Sequence, residues 1–176
     1  TDDKGESWNM VSIPPPASTG NWAYIAWHAM GAGVDPNNPD RIFIGALDMW
    51  VSDDAGDSWS KKSSWTGTGQ NFVHADQHCL LFKEGSSNEM IIATDGGVFH
   101  TVNASQNNPY IMEKNAGFNT LQMYKVALHP NPGVTLFLGG MQDNGTIYYD
   151  GNPIEHTNAI SGGDGGACFI DGDEPN

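Results

Sequence analysis

Short apolar runs broken by turn residues fill the chain, and none carries the i, i+3, i+4 rhythm of an amphipathic helix. Trp22–Val34 reads as a buried inner strand, followed by a turn at Asp35-Pro36-Asn37-Asn38-Pro39 and by strands at Arg41–Ala46, Met49–Ser52 and Ser58–Ser63. The same order returns in Phe72–Phe82, the turn Glu84–Asn88, Met90–Thr94, Gly97–Thr101 and Tyr110–Lys114. A third round runs through Met123–Leu128, His129-Pro130-Asn131-Pro132, Thr135–Gly139, Thr146–Tyr149 and Ile154–Thr157, and Gly166–Ile170 opens a further inner strand.

The second strands centre on Ile44, Ile92 and Leu138, at intervals of 48 and 46 residues. A four-stranded unit every ~40–50 residues is the period of propeller blades. The predicted fold is therefore all-β, a β-propeller of four-stranded antiparallel blades. Residues 1–20 are expected to end one blade, 21–66, 67–118 and 119–161 to form three more, and 162–176 to start the next, all within one domain. A ring closes with at least about four blades. The remaining blades are expected from chain outside these residues or from partner subunits, and the missing initiator Met and leader suit a mature or trimmed piece.

One stretch occurs twice, as T-D-D-K-G-E-S-W at Thr1–Trp8 and S-D-D-A-G-D-S-W at Ser52–Trp59. Asp3 and Asp54 can accept hydrogen bonds from their own turns, Gly5 and Gly56 allow a positive φ, and Trp8 and Trp59 offer a large ring for burial. The pair resembles the Asp-box of BNR-repeat propellers, the sialidase-like, sortilin-like and xyloglucanase-like proteins. The resemblance implies a structural fastener between third and fourth strands, and an extracellular or periplasmic location.

Charge narrows the partners. Seven Lys plus Arg against 21 Asp plus Glu give a net charge of −14, which opposes a phosphate backbone or an anionic membrane surface. No apolar run approaches the ~18 residues of a membrane span, so neither nucleic acid nor membrane insertion is expected. Cys79 and Cys168 lie in apolar runs and read as small buried hydrophobes rather than a disulfide framework.

Strand alternation puts the loop entering the first strand and the loop between second and third on one face, opposite the repeated box. That upper face receives His74-Ala75-Asp76-Gln77-His78, Asp95-Gly96-Gly97, Gln142-Asp143-Asn144-Gly145 and Gly162-Gly163-Asp164-Gly165-Gly166, with Asp48 in the matching loop. Asp-Gly is also the commonest hairpin turn, so each acid has a purely architectural reading. In an extended segment His74, Asp76 and His78 point to one side, a spacing suited to a divalent cation such as Zn or Ca, to a hydrogen-bond network, or to acid–base work by His78 or Asp76.

Two functions follow. The first is a secreted binding or scaffold module that takes a glycan or protein ligand on its upper face through His74, His78, Gln142, Asn144, Trp65 and Tyr124. The alternative is a xyloglucanase-like glycoside hydrolase, whose carboxylate pair would come from Asp76, Asp95, Asp143 and Asp164. Sialidase activity is disfavoured, because that family grips its substrate with three arginines and Arg41 stands alone here.

Overall fold

A computed structural model describes residues 1, 3–14, 24–68, 71–118, 120–152 and 159–175. The chain divides into two compact units, Thr1–Ala116 and Gly117–Asn176. Among the described residues every regular element is a strand.

The first unit holds two blades. β1 (Gly31–Asp35), β2 (Asn38–Gly45), β3 (Met49–Ser52) and β4 (Ser60–Lys61) form one antiparallel meander in that order. β5 (Ser63–Ser64) and β6 (Asn71–Phe72) make a short parallel pair. β7 (Gln77–Phe82), β8 (Met90–Thr94), β9 (Gly97–Thr101) and β10 (Ile111–Glu113) form the second meander. In the second unit β11 (Met123–Leu128), β12 (Phe137–Met141), β13 (Thr146–Tyr149) and β14 (Ala159–Ser161) repeat the pattern. The chain is thus all-β and built of four-stranded antiparallel blades of the β-propeller kind.

Alternation along the strands explains the core. In β8, Met90 and Ile92 are buried while Ile91 faces out, and Phe43, Met49, Val51, Val73, Leu80, Phe99 and Ile111 join them between the two sheets of the first unit. Phe82 closes this layer edge-on against Phe43, with ring centroids 5.1 Å apart. Each fully buried aromatic or aliphatic side chain here contributes about 1.5–3 kcal/mol. Backbone proximity also matters: a Cβ on Gly33 would sit 2.7 Å from the Leu80 carbonyl oxygen, so glycine in β1 is what lets β7 lie this close.

A buried carboxylate ties the blades together at the opposite end. Asp35 accepts from the Asn37 backbone N–H at 2.9 Å and the Ser87 hydroxyl at 2.7 Å, while the Asn37 amide donates to the Gly85 carbonyl at 3.0 Å.

Both copies of the repeated octapeptide fold into the same turn. Asp54 accepts from the Ser58 N–H at 2.8 Å and the Ser58 hydroxyl at 2.5 Å, and Asp3 makes the same two bonds to Ser7. Gly5 and Gly56 have φ of 92° and 97°. The tryptophans differ. Trp59 is half-buried and donates to the Ser12 carbonyl at 2.9 Å, whereas Trp8 is 78% exposed and folds back on its own turn, donating to the Gly5 carbonyl at 3.2 Å. The expected burial therefore holds for Trp59 and fails for Trp8, because among the described residues only the second turn is crossed by another stretch of chain, residues 11–12.

Four further expectations are corrected. Trp22–Val34 is not one strand: the inner strand is only Gly31–Asp35, and 24–28 form a tight turn closed by the His28 and Ala29 N–H groups on the Ile25 carbonyl. The second inner strand starts at Gln77 rather than Phe72, because Asp76 adopts φ 60° and breaks the extended path. Cys79 is exposed, pointing away from the sheet core, and Cys168 is half-buried beside the Leu138 carbonyl at 3.4 Å. The expected outer strand Ile154–Thr157 lies outside the described residues, β14 follows it, and Gly166–Ile170 carries no ladder.

Candidate functional site

The upper rim of the first unit is built from three loops. The 24–28 turn is pinned from below, since Ile25 and Ala26 pack against buried Ala46 and Trp50. That anchoring turns Tyr24, Trp27 and His28 outward, with Trp27 82% exposed. The segment entering β7 is held by the Gln77 N–H on the Ala46 carbonyl at 3.0 Å, and the β8–β9 turn by the Asp95 N–H on the Asp76 carbonyl at 3.3 Å.

These loops bring together His28, His78 and Asp95. His78 Nε2 lies 2.7 Å from one Asp95 carboxylate oxygen, and His28 Nε2 lies 3.7 Å from the other. The two imidazoles meet edge to face with centroids 5.4 Å apart, and the Trp27 ring is 5.5 Å from that of His28. Asp76 stands beside them with an oxygen within 4.8 Å of Asp95. Its carboxyl is pushed above the usual range by burial and by the Asp95 charge, with the three nearby imidazoles pulling the other way.

The expected trio His74, Asp76 and His78 therefore does not act as one face. The positive φ at Asp76 removes the period-2 geometry on which that grouping depends. His74 instead lays its ring over Gly96, where any Cβ would overlap it, and its Nδ1 pairs with the Ala75 carbonyl at 3.0 Å. The two glycines of D-G-G have separate duties. Gly96 makes room for His74, and Gly97, at φ 118°, makes room for Asn115, which bonds the Val98 N–H at 2.8 Å and the Gly96 carbonyl at 2.9 Å.

Asp48, in the matching loop of the first blade, is not available to a ligand. It is buried against Lys61 at 2.7 Å and accepts from the Trp65 N–H at 2.9 Å, which leaves the Trp65 ring partly exposed on the rim. Other cations are also engaged: Arg41 pairs with Asp53 and faces Asp35 at 3.9 Å, Lys83 pairs with Glu89 at 2.6 Å, and Lys62 donates to the Asn107 carbonyl at 3.0 Å. An open groove lined by Leu81, Phe82, Lys83, Glu89, Met90 and Ile91 lies at the far end of β7 and β8. It holds only the Lys83–Glu89 pair, so the rim is the better candidate for chemistry.

No protein-family model matches the chain, and no curated protein matches it. Among solved structures it is similar to the crystal structure of an ancestral GH74 enzyme, at 15% identity and a TM-score of 0.36. The match covers 83% of this chain, which spans 22% of that enzyme's length.

The second unit gathers its own polar residues. Tyr124 donates its hydroxyl to the Gln142 side chain, the Asn144 amide donates to the Gln142 carbonyl at 3.0 Å, and Asp164 accepts from the Asp143 N–H at 3.0 Å. Asp164 is thus a brace for the β12–β13 turn, where Asp143 has φ 58°. Glycine sets this geometry: Gly165 N–H bonds the Met141 carbonyl at 2.6 Å and Gly145 N–H the Gly163 carbonyl at 2.7 Å, so backbone lies directly on backbone.

Sequence reasoning named His78, Asp95 and Asp76 but missed His28 and Trp27. Both sit inside an apolar run that reads as a strand. The signal was the polar His amid W-A-Y-I-A-W-H-A-M, an odd residue for a fully buried segment.

Proposed function

We propose that this chain is part of a secreted Asp-box propeller that binds a neutral glycan on its upper rim. The observation that supports it is Trp27, whose ring is 82% exposed and stands directly beside the His28–His78–Asp95 cluster. An exposed indole offers an apolar face for a sugar ring, and adjacent imidazole and carboxylate groups hydrogen-bond its hydroxyls. Tyr24 and Trp65 extend the aromatic surface at the same end of the strands. In this reading the turns at Asp3 and Asp54 are Asp-boxes that hold blades, and further blades come from additional chain or partner subunits, since three do not close a ring.

Affinity electrophoresis in gels containing neutral β-glucans tests it. Retention of the wild type, lost in Trp27→Ala with an unchanged circular dichroism spectrum, is the expected result; equal mobility with and without every glucan refutes it.

Hydrolysis is the second reading, favoured by two adjoining carboxylates, Asp76 and Asp95, on that rim. One oxygen of each lies within 4.8 Å of the other, nearer the about 5–5.5 Å of a retaining pair than the about 6.5–9.5 Å of an inverting one. Release of reducing ends from the same glucans, abolished in Asp76→Asn, would replace binding by hydrolysis.

A further inference from the structure

We propose that His28, His78 and Asp95 form a site for a divalent transition-metal cation of the zinc class. The three side chains come from three separate segments: the turn before β1, the start of β7, and the β8–β9 turn. One ligand atom of each lies within 4.8 Å of the others. Both histidines present Nε2, and they face different oxygens of one carboxylate, at 2.7 and 3.7 Å. Two imidazoles and a carboxylate are a donor set for zinc and its neighbours, whereas calcium and magnesium favour all-oxygen shells.

A plain hydrogen-bond network accounts for less of this geometry. The His78–Asp95 contact is a hydrogen bond, but His28 stands beyond hydrogen-bond reach of Asp95, with its ring turned edge-on to His78. Ligand atoms around a tetrahedral zinc stand about 3.3 Å apart, given Zn–N and Zn–O lengths of about 2.0–2.2 Å. A cation at the convergence point would hold His28 where no hydrogen bond to Asp95 does, and a small rotation of that exposed ring completes the set.

Two features around the trio support a cation. Asp76 adds a second carboxylate beside Asp95, and the pair concentrates negative charge on a half-buried rim. Asp76 also holds a left-handed backbone, φ 60°, immediately before β7, the kind of local strain that gathers at functional sites. The side chains of His28, His78 and Asp95 keep 43%, 39% and 21% of their surface exposed. A metal held by three such ligands retains an open position toward solvent, which an oxygen-bearing ligand can enter. The three ligands are also the polar groups of the glycan reading, but the test reads cation binding alone, so either proposal can fail without the other.

The test uses tag-free chain stripped with chelator, titrated with Zn2+ by calorimetry and with Co2+ by visible absorption. One equivalent of each is expected to bind saturably, with cobalt d–d bands reporting nitrogen ligands. His28→Ala and His78→Ala should each weaken binding by at least the ~10–100-fold that a supporting-shell change costs, while His129→Ala leaves it unchanged. If His78→Ala fails to fold by circular dichroism, His28→Ala, whose side chain lies in a turn outside every ladder, decides alone. Absence of saturable binding, or full binding in folded His28→Ala, overturns the site.

Discussion

The indole N–H of Trp59 donates to the carbonyl of Ser12 at 2.9 Å, and the one proton of the Ser12 hydroxyl is shared between the Gly56 and Asp57 carbonyls, 2.5 and 2.7 Å away. A turn closed by its own aspartate is thereby also stitched to a stretch 47 residues earlier. Trp59→Phe keeps most of the ring and loses the donor, so it should cost about 1 kcal/mol. Trp8→Phe, in the exposed copy, should stay within ~0.5 kcal/mol. Urea unfolding midpoints of the two variants check the difference; equal losses would show that the stitch adds nothing.

Acid sensitivity should follow the Asp54 turn. Bonds from the Ser58 hydroxyl and N–H, with a further one from Ser52, lower the Asp54 carboxyl from 3.8 to about 2. A depressed folded-state value means the stabilisation is present above the unfolded value and disappears as pH falls through the folded one. Asp54→Asn should thus be less stable than wild type above about pH 4, with the gap closing toward pH 2. Unfolding curves at stepped pH measure this, and a gap that persists at pH 2 would assign the loss to something other than ionisation.

The buried ion pair in the first blade predicts an asymmetry between its partners. Asp48 is nearly inaccessible, while Lys61 keeps 28% of its side-chain surface exposed. Lys61→Met leaves a buried carboxylate without its cation and should cost about 1–3 kcal/mol. Asp48→Asn can keep the bond from the Trp65 N–H and releases lysine to solvent. The lysine substitution should therefore shift the denaturation midpoint further, and the reverse order would contradict the burial argument.

In the second unit, glycine positions should divide sharply. A Cβ on Gly165 would overlap the Gly145 carbonyl, while one on Gly162 meets nothing within 4 Å. Gly165→Ala should destabilise by about 1–3 kcal/mol, and Gly162→Ala should be near neutral. Thermal melts of both variants suffice.

Much of the fold was legible because strand pattern is a local property. Met49–Ser52, Met90–Thr94, Gly97–Thr101, Met123–Leu128 and Thr146–Tyr149 appear as strands with the boundaries their alternation suggests. The inner strands of the first two blades were harder. Their apolar character continues into loops, since Ile25 and Ala26 pack downward from a turn as firmly as strand residues do. The site suffered from the same ambiguity: His28 was hidden in an apparent strand, and Asp76 looked extended because no residue type announces φ 60°. Asp48 had the right position and lacked the availability, which depends on Lys61 across the sheet.

The pairing of Arg41 with Asp53 and Asp35 has an outcome for traffic toward the protein. With that guanidinium tied down and a net charge of −14, these 176 residues present approaching polyanions with a repulsive field and no untied guanidinium fork to catch them. Sulfated or sialylated chains would be slowed on the way in, and added salt would ease their approach. An uncharged chain would feel neither effect, so the charge of these residues alone would separate the two kinds by rate of approach, before any contact is made.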